Sequence, residues 1–388
     1  MKKTFAALAA AALMATGASA QTRGVTDDEI RIGAFHDLSG GFAAFSVPAV
    51  EAANALFEEV NANGGIHGRQ IRYIVEDHGY QVPRAAQAAN KLVNRDEVFA
   101  MLLSLGTPHN LAAFRVMDPN NVPSVFPLTA ARQMLEGPEE LRYVATASYY
   151  DAVRAAAGYL METNDRTQAC SMYIPSDFGE EIHMATVDEA GDRDGVEYLT
   201  ETTHRPDESD FTGALARLRE AGCDLITIAL TIRPTITVVA TAKQMGWDDV
   251  DFLVSSAGFH TAIAKVPGGI TEGLYAGAGW QDLEARMGNE EVAAWVASMQ
   301  ERTGEFPGTG ALLGRSAAAA MVEALEAAGP DLTLESFTAA MEGLSYDDAI
   351  AGNRMEMGPG DHAGSEEVFI SQIQGGSWSL IGTVDTTE

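Results

Sequence analysis

Two hydrophobic rhythms alternate along this chain. Short apolar runs, as in strands covered on both faces, are separated by stretches where apolar residues return at helical spacing. Residues 30–35 form the first run, and the turn 37–41 (Asp-Leu-Ser-Gly-Gly) follows. Over 47–61, Val50, Ala53, Asn54, Phe57 and Val60 predict a helix, which Asn63-Gly64-Gly65 ends in the left-handed backbone that glycine supplies. Strands are then predicted at 70–76, 99–103 and 124–127, with helices at 85–94 and 111–117. This β-α-β-α-β-α-β order predicts a parallel sheet with helices on both faces.

The pattern then restarts. Helices are predicted at 152–161, 182–190, 211–221 and 237–245, and strands at 171–175, 198–202, 225–230 and 252–255. From residue 290 the chain is helical again, over 292–302, 314–328 and 334–342. Residues 368–374 and 378–381 read as two strands around Gly375-Gly376. The expected fold class is α/β, with two doubly wound units. Open parallel sheets leave crevices at the carboxyl ends of their strands, and two such units facing each other make a cleft.

Residues 1–20 change the picture of where the chain works. Lys2 and Lys3 precede an apolar core over 5–14, too short to span a bilayer, and Ala18-Ser19-Ala20 offers small residues for signal peptidase. Cleavage after Ala20 and export to a bacterial periplasm are expected. The formal net charge of -30 over 388 residues makes nucleic acid and anionic lipid poor partners. Cys170 and Cys223 each precede a predicted strand. If those strands are neighbours, a disulfide is expected; two free buried thiols are the other reading.

Catalytic motifs are missing. The sequence contains no GxxxxGK[ST], HExxH or GxSxG. His36 and Asp37 are adjacent, as are Asp77 and His78, and adjacent strand residues point to opposite faces. The expectation is a binding protein without catalysis, cofactor or metal, and a monomer. An exported hydrolase would need a nucleophile and base converging in the cleft.

Four stretches resemble the periplasmic type I solute-binding proteins of the branched-chain amino acid (Leu/Ile/Val-binding) transporter family. They are Ile32-Gly33-Ala34-Phe35 through Leu38-Ser39-Gly40-Gly41; Val60 through Asn63-Gly64-Gly65-Ile66-His67-Gly68-Arg69; Glu76-Asp77 with Pro83 and the helix after it; and Leu105-Gly106-Thr107-Pro108 with Asn121-Val122-Pro123 and Leu128-Thr129-Ala130. Ser176-Asp177-Phe178-Gly179 and Thr271-Glu272-Gly273-Leu274 add two segments from the second unit. The resemblance implies a hinge of three chain crossings, with one lobe over 25–146 plus 278–352 and the other over 147–277 plus 353–388. It also implies a small-molecule ligand and a membrane permease of an ABC uptake transporter as partner. The same fold serving as a ligand sensor is an alternative.

By that resemblance, a ligand carboxylate is held at Leu105, Gly106 and Thr107, with Leu128 and Thr129 on the next turn. The chemistry agrees: Gly106 permits close backbone approach, Thr107 offers a hydroxyl, and a helix N-terminus favours an anion. Thr107 before Pro108 is equally a plain helix cap. Phe178 matches the family's aromatic lid, and Phe42, Phe45, Tyr80, Tyr149 and Tyr150 lie on expected cleft loops. Where amino-acid-binding members carry an acidic partner for the ligand ammonium, this chain reads Ser255-Ser256-Ala257-Gly258-Phe259. A buried ammonium without an anion is costly. Thr231 stands where another cleft aromatic is expected, beside Arg233; Arg315 opens a helix that could face the cleft. Arginine binds carboxylates in a bidentate fork. The ligand expected is therefore an apolar or aromatic acid, with a branched-chain or other amino acid as the alternative. In that case Asp177 or Glu180 would partner its ammonium.

Overall fold

The computed structural model describes residues 22–386. The expected signal segment, residues 1–20, lies outside them. Strands and helices alternate first as β1 (Glu29–His36), α1 (Ala43–Ala62), β2 (Gln70–Asp77), α2 (Val82–Asn94), β3 (Ala100–Leu102), α3 (Thr107–Met117), β4 (Ser124–Val125) and β5 (Arg142–Tyr143). The second series is α4 (Tyr149–Thr163), β6 (Gln168–Tyr173), α5 (Asp177–Gly191), β7 (Glu197–Thr203), α6 (Thr212–Ala221), β8 (Leu225–Ala229), α7 (Ile232–Gln244), β9 (Asp251–Val254), α8 (Thr261–Ala264) and β10 (Tyr275–Ala278). The chain then returns through α9 (Glu290–Thr303), α10 (Thr309–Ala327), α11 (Leu334–Met341) and the hairpin β11 (Ser345–Asp348) and β12 (Asn353–Glu356). It ends in β13 (Glu367–Gln374) and β14 (Ser377–Asp385).

The first sheet runs β2-β1-β3-β4-β5, all parallel. The second runs β14-β13-β10-β9-β8-β6-β7, parallel except for the antiparallel β13 and β14. Both are covered on two faces, which is why their central strands are near-continuous apolar runs. Ile30, Ile32, Ala34 and Phe35 of β1 are fully buried. On one face of the first sheet, Phe57, Ala317, Met321 and Phe337 close a core with Ile30, Ile32 and Leu102. Ala152, Ala156 and Leu160 of α4 do the same for the second sheet.

Most helices start three to five residues before the sequence expectation, and two of these early starts, in α1 and α10, bear on how the halves meet. Helix α1 starts at Ala43, four residues early, and takes Pro48 into its interior. Proline has no N–H for the carbonyl of Ala44. That carbonyl instead accepts a hydrogen bond from His260 Nε2 (3.1 Å), which comes from the opposite half of the molecule. The His260 Nδ1 accepts the Ala262 amide, so its tautomer is fixed. Helix α10 starts at Thr309, and its Gly314 lies so close to α1 that a Cβ would stand 2.1 Å from the Ala49 carbonyl.

The chain passes between the sheets after β5, after β10 and after β12. The expected break at 352/353 falls inside the β11–β12 hairpin, where Asp348 pairs with Asn353. The last crossing instead follows Glu356, and there Ala363 bridges Val144 of the first crossing in parallel. Cys170 in β6 and Cys223 before β8 form a disulfide between neighbouring strands. Among the described residues, no helix is long and apolar enough to cross a membrane.

Candidate functional site

Elements of both halves enclose one cavity at the carboxyl ends of their strands. On the first half, Asp37 organises the loop after β1: its carboxylate accepts the amides of Gly40 (2.6 Å) and Phe42 (2.8 Å). This delivers Phe42 and Phe45 to the cavity. After β3 and β4 the backbone is bent at matching places. Leu103 (φ 63°) and Phe126 (φ 46°) both adopt left-handed conformations, rare for bulky side chains, and both line the cavity. The two turns then bridge at Leu105 and Leu128.

Gly106 (φ 101°) caps α3. Asn110 Nδ2 pins the turn by donating to the carbonyls of Ser104 (2.8 Å) and Gly106 (2.9 Å). Thr107 and Thr129 share a 2.6 Å hydrogen bond between hydroxyls. The first amides of α3 have no intrahelical acceptors, so this corner combines hydroxyls with a helix N-terminus. Burial disfavours a positive charge beside it: it drives the His78 imidazole down to about 3 and lowers that of His109. His78 and His109 stack at 4.5 Å, and Tyr80 tilts over His109 at 4.7 Å.

The second half supplies Phe178 from α5 and Ser256 and Ala257 after β9. Phe178 meets Phe42 edge-on across the cleft at 6.2 Å and Tyr149 at 5.4 Å. The rest of the wall is mostly apolar, including Val144, Trp280, Leu313 and Met355. Asp348 is its one charged side chain, and no lysine, arginine or histidine lines it among the described residues.

Phe42, Phe45, Tyr80, Leu105, Gly106, Thr107, Leu128, Thr129, Phe178 and Ser256 thus come together. Tyr150, Thr231, Arg233 and Arg315 do not. Tyr150 turns away where its helical neighbour Tyr149 turns in; its phenol donates to Asp188 (2.6 Å) and its ring lies under Arg132 (3.6 Å). The Thr231 hydroxyl donates to the Pro206 carbonyl (2.9 Å). Thr231 also packs against Gly41, where a Cβ would lie 2.9 Å from it. Arg233 is exposed on the first turn of α7. Arg315 lies toward Tyr346, one position round the helix from the cavity-lining Ser316. Burying an unpaired guanidinium in this apolar wall would be costly. The sequence reading missed Leu103, Phe126, Thr146, Trp280, Ser316, Asp348 and Asn353. The signal for the first two was their place at the ends of consecutive parallel strands.

Several contacts join the halves across the cleft. Besides His260 to Ala44, Thr261 and Thr309 exchange amide-to-hydroxyl bonds (3.1 and 3.2 Å). The buried Glu181 carboxylate of α5 reaches across to accept the Arg132 amide (3.0 Å), and also accepts the Tyr150 amide (3.3 Å) of its own half. Burial pushes the Glu181 carboxyl up to about 7, against the opposing pull of those amides and of the Arg132 guanidinium; the Asp151 charge adds to the rise. The fold therefore holds this proton more tightly than the unfolded chain does. The contribution favours the fold at acid pH and is lost as pH rises through about 7. The buried His36, His78 and His260, whose imidazoles burial depresses, act with the opposite sign over the same acid range, so the variant isolates the Glu181 part: the melting temperature of Glu181→Gln should rise more steeply, or fall less, between about pH 5 and about pH 7 than that of the wild type. An unchanged pH slope in the variant would assign the effect elsewhere.

Two α/β halves closing over an apolar cavity, linked by three crossings, define the architecture of a solute-binding protein. The model for the family "Periplasmic binding protein" matches residues 29–377, and the chain belongs to that family. A "Leu/Ile/Val/Thr-binding protein" of Salmonella typhimurium is 20% identical over 247 residues, covering 64% of this chain and 67% of that protein. The aligned parts span about half to two thirds of the curated relatives matched. A "Fatty acid ABC transporter substrate-binding protein" from Thermomonospora curvata has the same fold, with TM-score 0.84, 21% identity and 94% of both chains covered. So does an R. palustris solute-binding protein "in complex with benzoate", with TM-score 0.81, 15% identity, and 92% of this chain and 96% of that one covered.

Proposed function

We propose that this chain is the periplasmic substrate-binding component of an ABC uptake transporter, that it captures a small apolar or aromatic carboxylate, and that it performs no catalysis. One observation carries the reading: the cavity sets a helix N-terminus and two hydroxyls at Gly106, Thr107 and Thr129 against apolar and aromatic walls. A carboxylate is stabilised there by amide and hydroxyl dipoles, without a cation. The walls then take up its apolar body. Ser256 and Ala257 line the cavity at positions that, by the family resemblance, would carry the acidic partner of an ammonium. The printed ligands of the fatty-acid and benzoate relatives agree with this chemistry. Export is supported by the buried disulfide, which persists in oxidising compartments. The lobes would move about the three crossings, one comprising the first sheet with α9 to α11 and the β11–β12 hairpin, the other the second sheet.

A thermal-shift and calorimetric panel of benzoate, hexanoate, octanoate and leucine tests this. Ligand at about 100 times its dissociation constant adds about 2.7 kcal/mol to stability. Stabilisation by the acids and not by leucine is expected. Stabilisation by leucine alone would sink the reading.

A further inference from the structure

The cavity wall also carries polar atoms with nothing to bond. Trp280 Nε1, Ser316 Oγ and Asn353 Oδ1 are buried without a hydrogen-bond partner among the described residues, and all three residues line the cavity. They are 5%, 8% and 8% exposed. A buried polar group left unpaired costs about 1–3 kcal/mol, so three around one space call for an occupant that pairs them. The Asn353 amide is oriented by its Nδ2 donating to the Gly279 carbonyl (2.7 Å), which leaves Oδ1 as the free atom. Gly279 precedes Trp280 in the chain. Asp348 faces Asn353 across the hairpin; its Oδ1 accepts the amides of Ile350 (2.8 Å) and Ala351 (2.9 Å).

The wall therefore offers a donor in the indole N–H, acceptors in Asn353 and Asp348, and a hydroxyl in Ser316 that serves as either. A purely alkyl or phenyl body would leave all of them unpaired. An ammonium would satisfy the acceptors and leave the indole N–H without an acceptor. A hydroxyl both donates and accepts. We propose that the occupant is a hydroxyl-bearing carboxylate, its carboxylate at Thr107 and Thr129 and its hydroxyl held by Trp280, Ser316 and Asn353. This rests on the carboxylate reading above and extends it to the body of the ligand.

The test is calorimetry on the whole chain with two matched pairs, benzoate with 4-hydroxybenzoate and cinnamate with 4-hydroxycinnamate. Wild type should bind the hydroxylated member of at least one pair about ten-fold tighter or more, as a site built around a hydroxyl does. In Ser316→Ala, which removes only a hydroxyl, and in Trp280→Phe, which removes the indole N–H together with part of the ring, that ratio should fall below about three-fold. An equal or weaker affinity for the hydroxylated member in both pairs, or a ratio retained in both variants, overturns the proposal while leaving the carboxylate reading standing. Tighter binding of 4-(aminomethyl)benzoate than of 4-hydroxybenzoate overturns it in favour of an ammonium at Asp348. If none of these acids binds, the carboxylate reading fails and this proposal falls with it.

Discussion

Replacing Gly106 with alanine should cost at least about 100-fold in affinity for benzoate or octanoate, measured by calorimetry, through a backbone effect at the mouth of α3. Gly106 has φ 101° and ψ 135°, a region that side-chain-bearing residues enter at a cost of about 1–3 kcal/mol. The added Cβ would also stand 2.3 Å from His109 Nδ1. His109 has nowhere to retreat, because it is buried, stacked on His78 and covered by Tyr80. Relief must come from rotating the turn or displacing Tyr80, and each disturbs the cavity. Rotating the turn also breaks the bonds from Asn110 to the Ser104 and Gly106 carbonyls and shifts Thr107 from Thr129. Gly213→Ala is the control: it lies in α6, and a Cβ there meets nothing within 4 Å. Its affinity should match wild type. Wild-type affinity in Gly106→Ala would show that the N-terminus of α3 does not hold the ligand.

The same turn shows what a sequence can and cannot reveal about such a site. Central strands such as β1 and β8 are covered on both faces, and their near-continuous apolar runs are visible by eye. Strand β10 reads Tyr-Ala-Gly-Ala and escaped notice. Its small residues mark close packing: a Cβ on Gly277 would lie 2.7 Å from the Ala152 carbonyl of α4. Strand β5, two residues long, is too short for any periodicity and escaped notice as well, whereas the equally short β4 was expected within 124–127. The Gly106 corner was legible through the family resemblance, because its residues follow strands within one unit and carry chemistry that fits it, as Leu105, Gly106 and Thr107 do. The wall around Trp280 and Asn353 was not. Trp280, Asp348 and Asn353 arrive on the chain's return, far from β3 and β4 in sequence, and Ser316 is told from Arg315 only by the rotation of α10. The cation hypothesis failed on that rotation and on the cost of an unpaired guanidinium against apolar walls.

Breaking the disulfide should produce the largest loss of stability. Cys170 and Cys223 are 53 residues apart, and chain entropy for a loop of that length corresponds to about 4 kcal/mol. For a chain of this size that is a fall in melting temperature of about 5 °C if the molecule unfolds as one unit, and roughly twice that if the second half melts alone. The closed loop contains α5, β7 and α6, with β7 at the edge of the second sheet. Strand β7 is held there on one side only, by β6. Once the cross-link is gone, the edge should open before the rest of that half. Cys170→Ala/Cys223→Ala should therefore lower the melting temperature and speed amide exchange over residues 197–221, with slower exchange kept in β8 and β9. Both cysteines lie far from the Gly106 corner in the fold order, on the opposite half, so affinity for benzoate should change much less than stability does. An unchanged melting temperature with and without reductant would mean that packing of the buried β6 and β8 already holds this edge, and that the cross-link adds nothing to it.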